Sequence, residues 1–148
     1  MKNKWIPLLI ATSLLSLTAC DDCRDVECAD GDYKALIFQS KADGSDLILG
    51  GVYRLDSLRI LPVLIDPSKP GARVRINLDY QNALIWADAN TAGYIIQLDS
   101  LPPDTLLATV GPSVGDGCCP SVTEFKTLLL NWQVVPSDYT ACCVFIQK

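Results

Sequence analysis

Seven cysteines and no histidine set the chemistry open to this 148-residue chain. Without imidazole there is no Ser-His-Asp or Cys-His nucleophile, and the commonest transition-metal ligand is missing. Cys23, Cys28, Cys118, Cys119, Cys142 and Cys143 form an even set, and Cys20 stands apart behind an apolar segment. An even set in an exported chain reads as disulfides, whose pairing the sequence does not choose. Cys23 and Cys28 are close enough to bond, which leaves two further bonds among the other four. Neighbouring strand residues point to opposite faces, so the two vicinal pairs are not both expected to join through one flat contact. One member of each would face the core, or one pair would reach back to the N-terminal cysteines. Structural zinc needs ligands two to four residues apart, which adjacent cysteines do not supply. No metal and no cofactor are expected.

The segment holding Cys20 begins behind Lys2 and Lys4 and is apolar from Trp5 to Leu17. A span needs about 20 apolar residues, whereas a signal peptide's central region needs roughly 7–15. Leu17-Thr18-Ala19-Cys20 resembles the lipobox of signal-peptidase-II substrates: aliphatic, small, Ala or Gly, then Cys. The resemblance implies cleavage after residue 19 and acylation of Cys20. One acyl chain binds a membrane only marginally, and the two or three chains of such lipoproteins hold permanently.

Cleavage at that point leaves 129 of the 148 residues, enough for one domain with a sizeable core. The signal holds two of the twelve basic residues and none of the seventeen acidic ones, so the mature charge is −7. A chain this acidic, with no basic run, is not expected to bind nucleic acid. The acyl chains, rather than its surface, must then hold it to the membrane. Residues 20–32 form an acidic tether that repels itself and stays extended. Acidic residues just after the lipidated cysteine resemble the surface-export signal of Bacteroidota lipoproteins. Asp21 taken by itself resembles an enterobacterial inner-membrane retention signal. The reading adopted is an outer-membrane lipoprotein of the bacterial envelope.

Residues 33–148 read as all-β. Tyr33–Ser40 closes on Asp43-Gly44, Asp46–Leu49 resumes, and Gly50-Gly51 interrupts. Leu58–Ile65 contains Pro62, which lacks a donor and belongs on a sheet edge. In Ala72–Leu78, Val74, Ile76 and Leu78 alternate with Arg73, Arg75 and Asn77. Ala83–Ala87 and Tyr94–Leu98 are expected to pair as a hairpin around Asp88–Gly93. Thr105–Val110 follows, then a glycine-rich loop over Gly111–Gly117. Glu124–Val135 is expected to set Leu128, Leu130, Trp132 and Val134 on one face, and Tyr139–Ile146 closes the chain. Seven to nine short strands without a helical period indicate an immunoglobulin-like or related two-sheet sandwich, braced by disulfides.

Leu36–Ser40, Asp43-Gly44, Asp46–Leu49, Asp104-Thr105-Leu106 and Thr127–Ile146 loosely resemble the strand pattern of small Bacteroidota lipoproteins of unknown function. That resemblance implies a sandwich and an envelope location, and carries no catalytic residues. Asp43-Gly44-Ser45-Asp46 reads as a turn, since Arg54 stands where an EF-hand requires glutamate. Gly111–Gly117 has no lysine and no following helix to cradle phosphate. Trp86 and Trp132 are the candidates for glycan stacking, although their strand positions favour core packing.

These observations favour a non-catalytic interaction or accessory module with an envelope protein or a glycan as partner. The alternative is a glycan-binding accessory protein, which requires an exposed aromatic on a sheet face. A hydrolase working through two carboxylates such as Asp79 and Asp88, or an immunity protein, are further alternatives. Cys20→Ser should move the protein from the membrane to the soluble fraction and remove the acyl mass. Retention in the membrane at unchanged mass overturns the lipid anchor.

Overall fold

The computed structural model describes residues 31–115, 118–136 and 142–148. Cys20, Cys23 and Cys28, with the signal and nearly all of the tether, lie outside these residues. Asp30–Val114 and Ser121–Lys148 form one compact unit, which contains every strand of the described residues. Gly115 and Cys118–Pro120 are the described part of a second unit, where Cys118 and Cys119 are disulfide-bonded.

The strands are β1 (Tyr33–Gln39), β2 (Leu58–Leu64), β3 (Val74–Asn77), β4 (Asn82–Trp86) and β5 (Thr91–Leu98). They continue with β6 (Asp104–Pro112), β7 (Thr123–Leu130), β8 (Gln133–Val134) and β9 (Cys143–Gln147), and one 3-10 turn spans Leu55–Ser57. Four strands form a sheet in the order β3-β4-β1-β9, and five form a second in the order β2-β5-β6-β7-β8. All neighbours are antiparallel except β1 and β9. The result is the two-sheet sandwich expected from the strand count.

Alternation along each strand makes the core. Leu36 and Phe38 of β1, Ala83 and Ile85 of β4, and Val144 and Ile146 of β9 line the inner face of the four-stranded sheet. They pack with Tyr94, Ile96 and Leu98 of β5, Leu106 of β6 and Leu128 of β7, each exposed by 1% or less. Full burial of one such aliphatic side chain contributes about 1.5–3 kcal/mol, so this interior supplies most of the folding drive. Pro62 sits on β2, an edge of the five-stranded sheet, as its missing donor requires. At the centre of that sheet, a side chain at Gly93 would run into the Leu106 carbonyl, so β5 and β6 need glycine there.

Four expectations fail. Asp46–Leu49 does not resume as a strand: Asp46 makes a single bridge to Gln39, and its carboxylate accepts the Ile48 and Leu49 N–H groups, which bends the chain into a turn. Ala83–Ala87 and Tyr94–Leu98 are not a hairpin: β4 belongs to one sheet and β5 to the other. The four residues between them turn a corner, where the Asp88 carboxylate accepts the Asn90 N–H (2.8 Å) and the Asp88 carbonyl accepts the Thr91 N–H (3.1 Å). Asn90 locks this corner to the loop after β2. Its Oδ1 accepts the Asp66 N–H (2.8 Å) and its Nδ2 donates to the Asp66 carbonyl (2.9 Å). Glu124–Val135 is likewise not one strand, because it reverses at Asn131-Trp132 to form the β7–β8 hairpin. The glycine-rich loop begins late, since Gly111 and Pro112 still pair with Glu124 and Thr123. Gly117 lies outside the described residues.

Two side chains stitch the sheets together. Tyr94 of β5, fully buried, donates its hydroxyl to the Trp86 carbonyl of β4 at 2.6 Å. Lys34 points inward from β1, an unusual place for a charge, and is held 2.8 Å from Asp32 Oδ1. The other Asp32 oxygen accepts the Phe125 N–H of β7 at 3.0 Å, so one ion pair links both sheets.

Burial, then the nearby Asp88 charge, pushes the Tyr94 phenol well above the ordinary tyrosine range. A raised folded-state pKa means that this stability is complete below about pH 10 and is lost as pH climbs beyond it. Tyr94→Phe should cost about 1 kcal/mol in urea unfolding at pH 8. The advantage of wild type over the variant should shrink between pH 10 and 11; a pH-independent difference overturns this role.

Candidate functional site

The candidate site is built on the outer face of the four-stranded sheet. Residues directly opposite on neighbouring strands share a face, so pairing register alone determines which side chains form a row. Tyr33 of β1 is opposite Trp86 of β4, and the Trp86 N–H donates to the Arg73 carbonyl just before β3 (3.1 Å). The row that results is Arg73–Trp86–Tyr33.

Its geometry is a ladder of neighbouring ring and cation contacts. The Tyr33 and Trp86 ring centroids are 5.5 Å apart with planes inclined by 37°. The Arg73 guanidinium carbon is 5.5 Å from the Trp86 ring centroid. Trp86 is therefore the post against which a phenol leans on one side and a guanidinium on the other. Such cation–π contacts contribute roughly 0.5–1 kcal/mol where exposed. Tyr33 remains 52% exposed, so much of its ring is open to solvent. Arg75 lies two residues along from Arg73 on the same outer face, in a row with Leu84 and Ala35.

Neither tryptophan packs in the core, contrary to the expectation from strand position. Trp86 occupies an outward position of β4, since the inward positions of that five-residue strand are Ala83 and Ile85. Trp132 is 79% exposed at the tip of the β7–β8 hairpin. Asn131 and Trp132 have φ of 48° and 69°, the positive pair that a type I′ hairpin demands. Asparagine adopts this conformation readily, whereas a bulky aromatic does so at a cost. The sequence contains the clue in Asn131, but its usual partner in such a turn is glycine.

An open groove of about 680 Å³ lies beside this hairpin, lined by Gln39, Lys41, Asn131, Gln133, Phe145 and Gln147 among others. Its one carboxylate, Asp104, is already engaged. Asn131 Nδ2 donates to Oδ1 at 2.8 Å, and the Lys148 ammonium sits 2.5 Å from Oδ2 while donating to the Pro102 carbonyl. Oδ2 receives no hydrogen bond of ordinary geometry, so its contact with Lys148 is one of charge.

The other carboxylates singled out in the sequence are not brought together. Asp79 and Asp88 lie beyond opposite ends of β4, and Asp88 is committed to the corner. Asp43 accepts the Ser45 N–H and hydroxyl, and Asp46 accepts the Ile48 and Leu49 N–H groups, so both shape their own turns. The Ser40 hydroxyl, then that of Ser45, holds the Asp43 carboxyl below its ordinary range. Cys142 and Cys143 are joined to each other at the entry to β9. Strand alternation does not prevent this bond, because Cys142 sits in the turn before the strand begins. A bond between neighbours closes almost no loop, so it shapes the start of β9 and adds little chain-entropy stabilisation.

No protein-family model, curated protein or solved structure matches this chain.

Two measurements check the tryptophan placements. Acrylamide should quench Trp132 strongly and Trp86 partly, read from the variants Trp86→Phe and Trp132→Phe. Trp132→Gly should raise stability by about 0.5–1 kcal/mol, as relief of the left-handed conformation exceeds the entropy that glycine adds to the unfolded chain. Destabilisation by this variant would show that the exposed ring contributes packing.

Proposed function

We propose that this chain is a lipid-anchored protein of the bacterial envelope whose β-sandwich is a non-catalytic interaction and accessory module. The Lys2-to-Cys20 segment supports the address, with acyl chains on Cys20 as the membrane partner and the outer membrane as destination. The likeness to small Bacteroidota lipoproteins belongs to the same reading. The observation that carries the binding role is the outward Arg73–Trp86–Tyr33 row. An aromatic side chain half open to solvent and held from behind by a second ring is preorganised to receive a partner.

A second reading makes that partner a glycan. Flat aromatic faces accept the C–H faces of pyranose rings, and the row supplies such a face on a rigid sheet rather than a loop. Trp132 offers a further exposed ring.

Protease treatment of intact host cells tests the address. Loss of the protein with a periplasmic control intact is expected, whereas protection in intact cells with cleavage in lysed ones overturns surface display. Affinity electrophoresis of the full-length chain in detergent tests the glycan reading. Retardation in a gel carrying a soluble polysaccharide, abolished by Tyr33→Ala, is expected. Unaltered mobility in every such gel overturns the glycan reading and leaves a protein partner for this face.

A further inference from the structure

We propose that the outer face of the four-stranded sheet binds an acidic polysaccharide, with sugar rings on Tyr33 and uronate carboxylates on Arg73 and Arg75. This rests on the glycan reading and names the class of glycan.

The first argument is charge. The mature chain carries −7, yet the outward positions of this sheet hold two arginines and no acidic residue. By register these positions are Tyr33, Ala35, Ile37 and Gln39 on β1, Asn82, Leu84 and Trp86 on β4, and Cys143, Phe145 and Gln147 on β9, with Arg73, Arg75 and Asn77 along the β3 edge. A pair of cations without a counter-charge, on an apolar and aromatic face of an acidic protein, is complementary to an anionic ligand.

The second argument is that both guanidinium groups are available. Among the described residues, the ion pairs are Lys34–Asp32, Arg54–Asp56, Lys69–Asp66, Lys126–Glu124 and Lys148–Asp104, and none uses Arg73 or Arg75. Arg73 lies over the Trp86 ring, its guanidinium carbon 5.5 Å from the centroid. With no ion pair to a described carboxylate, its N–H fork is open to a bidentate carboxylate. The ring also orients that fork, so less freedom is lost on binding than for a solvated arginine.

The third argument is spacing. Arg73 and Arg75 are two residues apart along one strand direction, which places them about 7 Å apart on the same side. Tyr33 lies across β4 from Arg73. One ring can therefore stack on Tyr33 while charged groups farther along the polymer meet the arginines. A neutral sugar would use the aromatic surface and leave both guanidinium groups unused.

The test is affinity electrophoresis with the full-length chain in detergent at 0.15 M salt. The gels carry polygalacturonate, alginate or hyaluronan, with methyl-esterified polygalacturonate and dextran as neutral polymers and dextran sulfate as a polyanion without carboxylates. At least one uronate polymer should be bound, and Arg73→Gln/Arg75→Gln should weaken that binding by about tenfold or more. Tyr33→Ala, a change at an exposed position, should weaken it as well. Arg59→Gln, which removes one positive charge from β2 of the other sheet, should leave it unchanged. Binding of neutral polymers alone overturns the acidic specificity and leaves the glycan reading standing. Binding of no polymer overturns both. Equal binding of dextran sulfate shows a site for charge alone and overturns the assignment to uronates.

Discussion

The corner between β4 and β5 is the constraint on which the rest of this structure depends. There the chain leaves one sheet and enters the other, and the Tyr94 hydroxyl donates to the Trp86 carbonyl across the junction. Because Tyr94 is fully buried, loss of this bond would strand its hydroxyl away from water. The ring fills the interior while its polar end fixes the angle between the sheets. Asp88 and Asn90 hold the same corner from outside, through turn hydrogen bonds and through the loop after β2. Lys34 and Asp32 supply the second joint, with an ion pair whose other oxygen reaches β7.

The candidate binding face follows from this joint. Trp86 contributes its carbonyl to the corner and its indole to the opposite side of the strand. Position 86 thus couples the interior of the sandwich to its surface. A ring borne on a strand whose backbone is fixed from below stays where the register puts it. Tyr33 and Arg73 inherit that rigidity, since each is aligned with Trp86 by backbone pairing on adjacent strands. Among the described carboxylates, Asp43 and Asp46 shape turns, Asp88 holds the corner, and Asp32 and Asp104 face lysines.

The contrast between Trp86 and Trp132 shows two ways to present an aromatic ring. Trp86 is half-buried, and its position costs nothing in backbone conformation. Trp132 is displayed at a hairpin tip, in a left-handed conformation that favours glycine. Such strain is characteristic of positions where exposure of a side chain matters more than local stability. The Cys142–Cys143 bond is another local device: it shapes the entrance to β9 without crossing the sandwich.

The amino-acid sequence by itself determined the strands, because alternation and turn residues act over a few neighbours. Val74 and Ile76 against Arg73 and Arg75, Pro62 on an edge, and the turn at Asp43 were all legible there, whereas Asp46–Leu49, read as a strand, is a turn because the Asp46 carboxylate takes its N–H groups. It also fixed the face that the two arginines share, since residues two apart on a strand point the same way. What it did not determine was which strands are partners. Ala83–Ala87 and Tyr94–Leu98 look like a hairpin because the turn between them is short. Only the burial of Tyr94 and the capping of Asp88 and Asn90 send them to different sheets. The reversal at Asn131-Trp132 was hidden because tryptophan replaces the expected glycine, and the inward lysine because its partner Asp32 is held to β7 through its other oxygen. The row of Tyr33, Trp86 and Arg73 was illegible for the same reason. Its members are scattered over 54 positions of the sequence, and cross-strand register, a property of the assembled sheet, is what brings them together.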